Sequence, residues 1–157
     1  MNKREQIRNA VVELLKRSNV SNGNIWDSRV TPITEDELPV VVVSIDSESS
    51  EMVSRANGSS QKCAQLAIEV VNAASTEVED YLDKVTAKIE RLMLSDQTLG
   101  DIVNHTELKQ TDIAILREGD IPMGIARMSF DISYFADFMA ELVELNEFKG
   151  VDLKWTS

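Results

Sequence analysis

Histidine and cysteine are the residues of this chain with the most chemical potential, and each occurs once, as His105 and Cys63. A histidine can act as a general base and a cysteine as a nucleophile, but either role needs partner residues at a recognisable spacing. His105 has no such partner, so we interpret it as a surface histidine near the end of a helix. Cys63 lies in a strand pattern, so we interpret it as a small buried hydrophobic residue. Together they are too few for a zinc site.

Two acidic clusters, Glu35-Asp36-Glu37 and Glu77 to Asp80, are the remaining groups that could ligate a divalent ion. The first is better explained as a solvated link, and the second as the first turn of a helix, where the helix dipole favours carboxylates. The sequence contains no glycine-rich phosphate loop and no G-x-S-x-G, H-E-x-x-H or C-x-x-C motif. We therefore predict that the protein is not an enzyme and has no catalytic, cofactor or metal site.

The composition narrows the remaining classes of function. The formal net charge is −11 over 157 residues, which argues against a nucleic-acid-binding surface, because such surfaces need clustered lysine and arginine. No apolar run approaches the roughly 20 residues of a membrane span, and the first residues do not resemble a secretion signal, so we expect a cytoplasmic chain. Repulsion between acidic surfaces should make any self-assembly depend on salt or divalent cations.

The stretch from Leu38 to Ile45 contains four consecutive valines and predicts a strand buried on both faces in the interior of a sheet. Apolar residues at helical spacing predict a first helix from Lys3 to Arg17 with Asn2 as its cap. A second apolar stripe, preceded by a Thr76 and Glu79 capping box, predicts the main core helix over Val78 to Met93. These helices must cover the valine strand.

Alternation of apolar and polar residues predicts further strands at Gln61 to Ala73, Leu108 to Leu116 and Met123 to Ala136. The serine-rich stretch from Asp46 to Ser60 has few apolar residues and predicts a long mobile loop within a hairpin. The predicted fold is α+β, with an about four-stranded, mostly antiparallel sheet and two main helices packed on one of its faces. We assign residues 1–136 to this domain and residues 137–157 to a C-terminal extension or arm.

The order of these features resembles the tail terminator family of long-tailed bacteriophages, typified by the minor tail protein U of phage lambda. The similarity spans residues 1–136 and lies in apolar positions and short signatures, not in a catalytic motif. Its carrying segments are the opening helix with Ile7, Val11 and Leu14, then Trp26-Asp27-Ser28-Arg29, Glu37-Leu38-Pro39 with the four valines, the serine-rich loop, Leu66 to Val70, Ile89 to Met93, and Ile125 to Tyr134.

The resemblance implies a structural protein that forms a ring, commonly a hexamer, on the head-proximal end of the tail in the virion, after assembly in the host cytoplasm. The implied partners are the protein itself, the major tail tube protein and a head-tail connector or head completion protein. A ring needs a head-to-tail interface, and a terminal arm or a strand edge can supply it. Our candidate interface residues are Glu51 and Arg55 in the loop, and Phe148, Val151, Leu153 and Trp155 in the arm.

Three other readings stay open at this point. Another ring protein of the phage neck, such as a head-tail connector or tail completion subunit, would share the size and the lack of active-site residues. A small-molecule-binding regulatory domain would share the fold class. An enzyme that uses His105 with nearby carboxylates is the least favoured, because the catalytic partners are missing.

Overall fold

The computed structural model describes residues 2–28, 34–54, 58–73, 77–117 and 121–137. Within these ranges the chain forms two α-helices, two short 3₁₀ helices and five strands. The α-helices are α1, Lys3–Arg17, and α2, Val78–Ser95. The 3₁₀ helices are Val20–Gly23 and Glu35–Glu37. The strands are β1, Ile25–Asp27; β2, Val40–Ser54; β3, Ser59–Ala73; β4, His105–Leu116; and β5, Met123–Asp137.

The first helix has the predicted bounds and the predicted cap. The Asn2 side chain accepts a hydrogen bond of 2.9 Å from the Glu5 backbone N–H, which satisfies one donor that the helix itself leaves open. Lys16 and Arg17 occupy the last turn, where positive charge is favourable. The buried side of the helix carries the apolar residues Ile7, Val11, Val12 and Leu15.

The five described strands form one sheet in the order β1-β2-β3-β5-β4. β1 is parallel to β2, and every other neighbouring pair is antiparallel. The predicted α+β class with a mostly antiparallel sheet is confirmed, with five strands in place of about four. The four consecutive valines of β2, Val40 to Val43, are at most 6% exposed, as expected for an interior strand, although the middle position of the sheet belongs to β3.

The structure corrects the prediction of a long mobile loop from Asp46 to Ser60. β2 continues to Ser54 and β3 begins at Ser59, and the two strands stay paired up to Ser54 and Ser59. Register shifts between Ile45 and Ser47, and between Met52 and Ser54, mark β-bulges in this ladder. The serine-rich stretch is therefore mainly the far half of a long β-hairpin.

Both helices pack on one face of the sheet, which we call the helix face, as predicted. The core between them contains Ile7 and Leu15 of α1, Leu82 and Ile89 of α2, and Phe130 of β5, none of which is exposed. Alternation places Leu66, Ile68 and Val70 of β3 in this core, together with Met128, Ile132 and Tyr134 of β5. The helix face is thus closed by side chains that the period-2 pattern identifies.

The opposite side of the sheet, the outer face, has a buried apolar cluster at one end. There Val40, Val42 and Val71 are buried and pack with the half-buried Trp26 and Met123. Farther along the strands the side chains are mostly small or polar, apart from the exposed Phe135 of β5. No helix among the described residues is long and apolar enough to cross a membrane.

Candidate functional surface

The outer face carries an ion-pair cluster around Arg127 of β5. Its guanidinium donates a 2.7 Å hydrogen bond to the Glu69 carboxylate on β3 and pairs with the Asp46 carboxylate on β2. The Arg127 side chain is 36% exposed, so solvent screens these pairs. The cluster therefore ties three strands together near the bulge at Asp46 and forms a structural contact on the surface of the sheet.

The far half of the β2–β3 hairpin is held to the rest of the sheet by polar contacts on its helix-face side. The Tyr134 hydroxyl of β5 donates a hydrogen bond to the Glu48 carboxylate of β2. Lys62 of β3 lies with its Nζ 3.6 Å from the same carboxylate. The Lys3 ammonium lies 5.9 Å from the centre of the Tyr134 ring and donates a 3.0 Å hydrogen bond to the carbonyl of Ile102. These contacts add to the strand pairing and to the buried Ala64 in holding the far half of the hairpin in place.

Large apolar side chains lie exposed near the tip of the same hairpin. Met52 is 61% exposed and Val53 is 59% exposed, on strand residues that precede the turn. Glu51, a predicted interface residue, is also exposed and pairs with Gln61, whose other neighbour is Phe135, 55% exposed. Exposed apolar residues near the end of a hairpin are typical of a contact surface.

The structure places one of the six predicted interface residues and leaves five untested. Glu51 lies on β2, on a strand and not on the predicted loop. Arg55, Phe148, Val151, Leu153 and Trp155 lie outside the described residues. The sequence reading missed Met52 and Val53, because it treated their segment as a polar loop. The sequence could have identified them, because two adjacent apolar residues in a serine-rich stretch have no apolar neighbours with which to form a core, and this pattern indicates a contact surface.

The sheet has strand edges on both sides that lack a described neighbour. β4 is the last strand of the sheet and is exposed along most of its length. On the other side, β1 covers β2 only from Val41 to Val43, so the far half of β2 has β3 as its single described neighbour. Open strand edges present backbone donors and acceptors that another strand can use.

The residues considered for catalysis do not form a site. His105 is exposed and begins β4, opposite Ser133 and not at a helix end. Cys63 is half-buried on β3. Burial, and to a smaller extent the negative charge of nearby Asp131, raises the pKa of its thiol, which disfavours the thiolate form that a nucleophile needs. Within the described ranges no three histidine, cysteine or acidic side chains are placed to hold a metal ion.

A shallow cavity of about 200 Å³ lies between the start of α1 and β2. Typical small-molecule sites are apolar and have volumes of roughly 300–1,000 Å³. This one is smaller, and polar side chains dominate its lining. The lining residues are Asn2, Arg4, Glu5, Arg8, Ile45, Asp46 and Ser47.

Comparison with known proteins points to one family. The family model described as phage minor tail protein U matches residues 2–134, from the cap of α1 into the last strand. No curated protein sequence matches the chain. Among solved structures, the chain is similar to a chain in the virion of a native gene transfer agent particle, with 12% sequence identity and a TM-score of 0.42. That similarity covers 81% of this chain and 94% of the other.

Proposed function

We propose, from the premise that this chain belongs to the phage minor tail protein U family, that it forms a ring which caps the tail tube. The family assignment supports a structural role in the phage tail. Our proposal is more specific: the ring ends polymerisation of the tube and offers its opposite face to the head. The observation that carries it is the family match over residues 2–134, which contain both helices and nearly the whole sheet.

Capping needs binding surfaces and no catalysis. A ring that binds the growing tip covers the surface to which the next ring of tube protein would add. Two features of the described residues suit such a role: exposed apolar residues near the tip of the long β2–β3 hairpin, and open strand edges on both sides of the sheet. A head-to-tail contact whose rotation closes would generate the ring, and we take six subunits as the proposed number.

We assign the contact with the major tail tube protein to the tip of the β2–β3 hairpin. Met52 and Val53 supply apolar area there, and Glu51 lies on the strand beside them. Arg55, two residues beyond Val53, keeps its proposed place in the same contact. Replacing Met52 and Val53 with serine should weaken tube binding and leave the fold intact, because neither side chain packs in the core.

The C-terminal residues 137–157 keep their proposed role in contact between subunits. Phe148, Val151, Leu153 and Trp155 are large apolar residues in a terminal segment, and such residues usually dock on another surface. A chain that ends at residue 137 tests this role. If it still forms rings and still limits tail length, the arm is not the subunit contact.

The acidic surface should control when the ring forms. Subunits with a net charge of −11 repel each other as they approach. Salt and divalent cations screen that repulsion, so assembly should increase with either. The proposed docking of the head to the free face of the ring would follow once the tube is capped.

The test begins with the native mass of the purified protein over a range of protein and salt concentrations, followed by electron microscopy. We expect a closed ring of six subunits that increases with salt or magnesium. Purified tails that lack the protein should then bind it at one end and stop growing. A ring that binds filled heads and not tails would contradict capping and favour a neck connector, and a failure to bind either would contradict both.

A further inference from the structure

The two open edges of the sheet belong to strands of similar length on opposite sides of the molecule. β4 offers 12 residues, His105–Leu116, as the last strand of the order β1-β2-β3-β5-β4. The far half of β2, residues 44–54, lies beyond the three residues that β1 covers. Each edge has one described neighbour, β5 for β4 and β3 for the far half of β2.

The strand directions allow one edge to continue the other. β2, β3, β5 and β4 alternate in direction, because each successive pair is antiparallel. β2 and β4 therefore run in opposite directions. When a second copy is placed beside the first in the same orientation, its β2 runs antiparallel to the β4 of the first copy. An antiparallel junction continues the hydrogen-bond pattern of the sheet.

The two edges also overlap in height along the sheet. Ser47 of β2 is level with Gln65 of β3 and Asp131 of β5, and Asp131 is level with Glu107 of β4. The first residues of β4 thus lie at the same height as the start of the open half of β2. At equal height Gln110 is level with Ser44, and residues 111–116 of β4 are level with the part of β2 that β1 covers or lie beyond it. A shift of the neighbour by about five residues along the strands brings the whole of β4 against the open half of β2.

The open edges carry only part of the protection that proteins normally give to edge strands. Prolines, inward charges, lysines and bulges are the usual means of blocking such edges. β4 has one lysine, Lys109, at the register shift between Leu108 and Gln110. The open half of β2 has two bulges and the partly buried Glu48 on its helix-face side, but neither lysine nor proline. The part of β4 beyond Lys109 instead exposes Ile113 to 45% and Leu116 to 48%.

We propose that β4 of one subunit pairs, antiparallel, with the open half of β2 of the next subunit, shifted along the strands so that Gln110 faces the region from Ser47 to Glu51, and that the sheets join in this way around the ring. This inference rests on the proposed ring. A second copy of the chain is the partner because one head-to-tail junction uses both open edges, and closure leaves neither edge free. A different partner on one edge would leave the opposite edge open.

Disulfide trapping tests the pairing directly. Cys63 is the single cysteine, so a Cys63→Ser chain gives a background without thiols. In this background one chain carries Gln110→Cys on β4, and a second carries a cysteine at Ser47, Ser49 or Glu51, all exposed positions on β2. A disulfide requires Cα atoms roughly 4.4–6.8 Å apart, so only facing positions cross-link.

We expect covalent dimers when the β4 chain is mixed with one or two of the β2 chains under ring-forming conditions. The β2 position that reacts fastest gives the register of the junction. A matched control replaces the β2 cysteine with Glu90→Cys, an exposed position on α2 away from both edges. Cross-linking that is equal for the control and the β2 positions, or absent at every β2 position while rings are present, overturns the pairing.

A second variant pair tests the contribution of the exposed apolar residues. Ile113 on β4 and Leu94 on α2 are almost equally exposed, at 45% and 44%. Ile113→Glu should raise the protein concentration needed for half-assembly by at least about tenfold, and Leu94→Glu by less than about twofold. Circular dichroism of the monomers checks that both variants are folded. The opposite order of effects would place the junction elsewhere and overturn the pairing.

These experiments separate this inference from the proposed function. Rings that cap tails but show neither the cross-link nor the effect of Ile113→Glu refute the strand pairing alone. A wild-type chain that forms no ring, with or without tails present, refutes the ring and the pairing together. Cross-linked rings that do not bind tails support the pairing and contradict the capping function.

Discussion

Gly124 of β5 lies directly against α2, and its replacement by alanine is a sharp test of this packing. A Cβ atom at Gly124 would lie 2.8 Å from Cδ1 of Leu82 and 2.8 Å from Cγ2 of Val78, both on α2. It would also lie 3.3 Å from Cδ1 of Ile115 on β4. Gly124 is not among the residues with positive φ, so alanine meets a steric obstacle and no backbone strain.

The expected cost follows from two opposing terms. Forcing a methyl group into a filled core costs about 1–3 kcal/mol. Alanine restricts the unfolded chain more than glycine does, and this effect raises the free energy of unfolding by about 0.4–1 kcal/mol. Leu82 can shift its flexible end, but β-branched Val78 cannot easily do so. We therefore expect Gly124→Ala to lower the free energy of unfolding by about 1–2 kcal/mol.

A double-mutant cycle with Val78→Ala identifies the cause. Val78→Ala alone removes two methyl groups and should cost about 1.6 kcal/mol or more. In the double variant the new methyl group at position 124 enters the space that Val78 has left. The combined loss should then fall short of the sum of the single losses by about 1 kcal/mol.

Urea unfolding followed by far-UV circular dichroism measures all four chains. A Gly124→Ala chain as stable as the wild type would refute the steric argument. So would single losses that add within about 0.3 kcal/mol, because additivity would mean that the two positions do not share the same space.

Three further changes test other contacts of the fold. Arg127→Ala should lower the free energy of unfolding by about 0.5–1 kcal/mol, and by less at high salt. Lys109→Ala is the control, because the ion pair of Lys109 is more exposed, and it should change the free energy of unfolding little. Equal losses for the two variants in urea unfolding would contradict a stabilising role of the Arg127 ion pairs. Asn2→Ala removes the cap of α1 and should cost about 1 kcal/mol in the same assay, and no change would mean that the cap hydrogen bond adds nothing. Because burial raises the pKa of the Cys63 thiol, iodoacetamide should modify this thiol more slowly in the folded chain than in urea. The difference between the two rates should narrow as pH rises through the pKa of the folded chain. Equal rates, measured by mass spectrometry, would contradict this prediction.

The helices and strands whose buried residues recur at a regular spacing could be predicted from the sequence. α1 has the bounds that its apolar spacing and its Asn2 cap indicate. The strand pattern of Met123 to Ala136 places Phe130 and its alternate neighbours in the core, as observed. α2 begins one residue after Glu77, which has positive φ and makes no side-chain cap hydrogen bond, and Thr76 of the predicted capping box lies outside the described residues. Periodicity identifies an element more reliably than it fixes the end of that element.

The far half of the hairpin could not be predicted from apolar pattern, because it has almost none. From Asp46 to Ser54 the strand is built on serine and acidic residues, and such composition indicates a loop when read alone. It forms a strand because β3 pairs with it, and β5 pairs with β3 over the same length up to Asp137. The pairing of neighbouring strands, a tertiary effect, decides the conformation here.

This correction changes how early assembly could be prevented. A disordered segment would become ordered only on the tube and would lose its conformational entropy there. This entropy loss would disfavour ring assembly of the free protein. The paired strands Val40–Ser54 and Ser59–Ala73 are already ordered, so most of that cost is met before binding. Early ring assembly must then be prevented by repulsion between acidic subunits, which salt removes, and not by the hairpin. Ring assembly should accordingly respond strongly to ionic strength, and replacing Met52 and Val53 with serine should impair tube binding without releasing early ring formation.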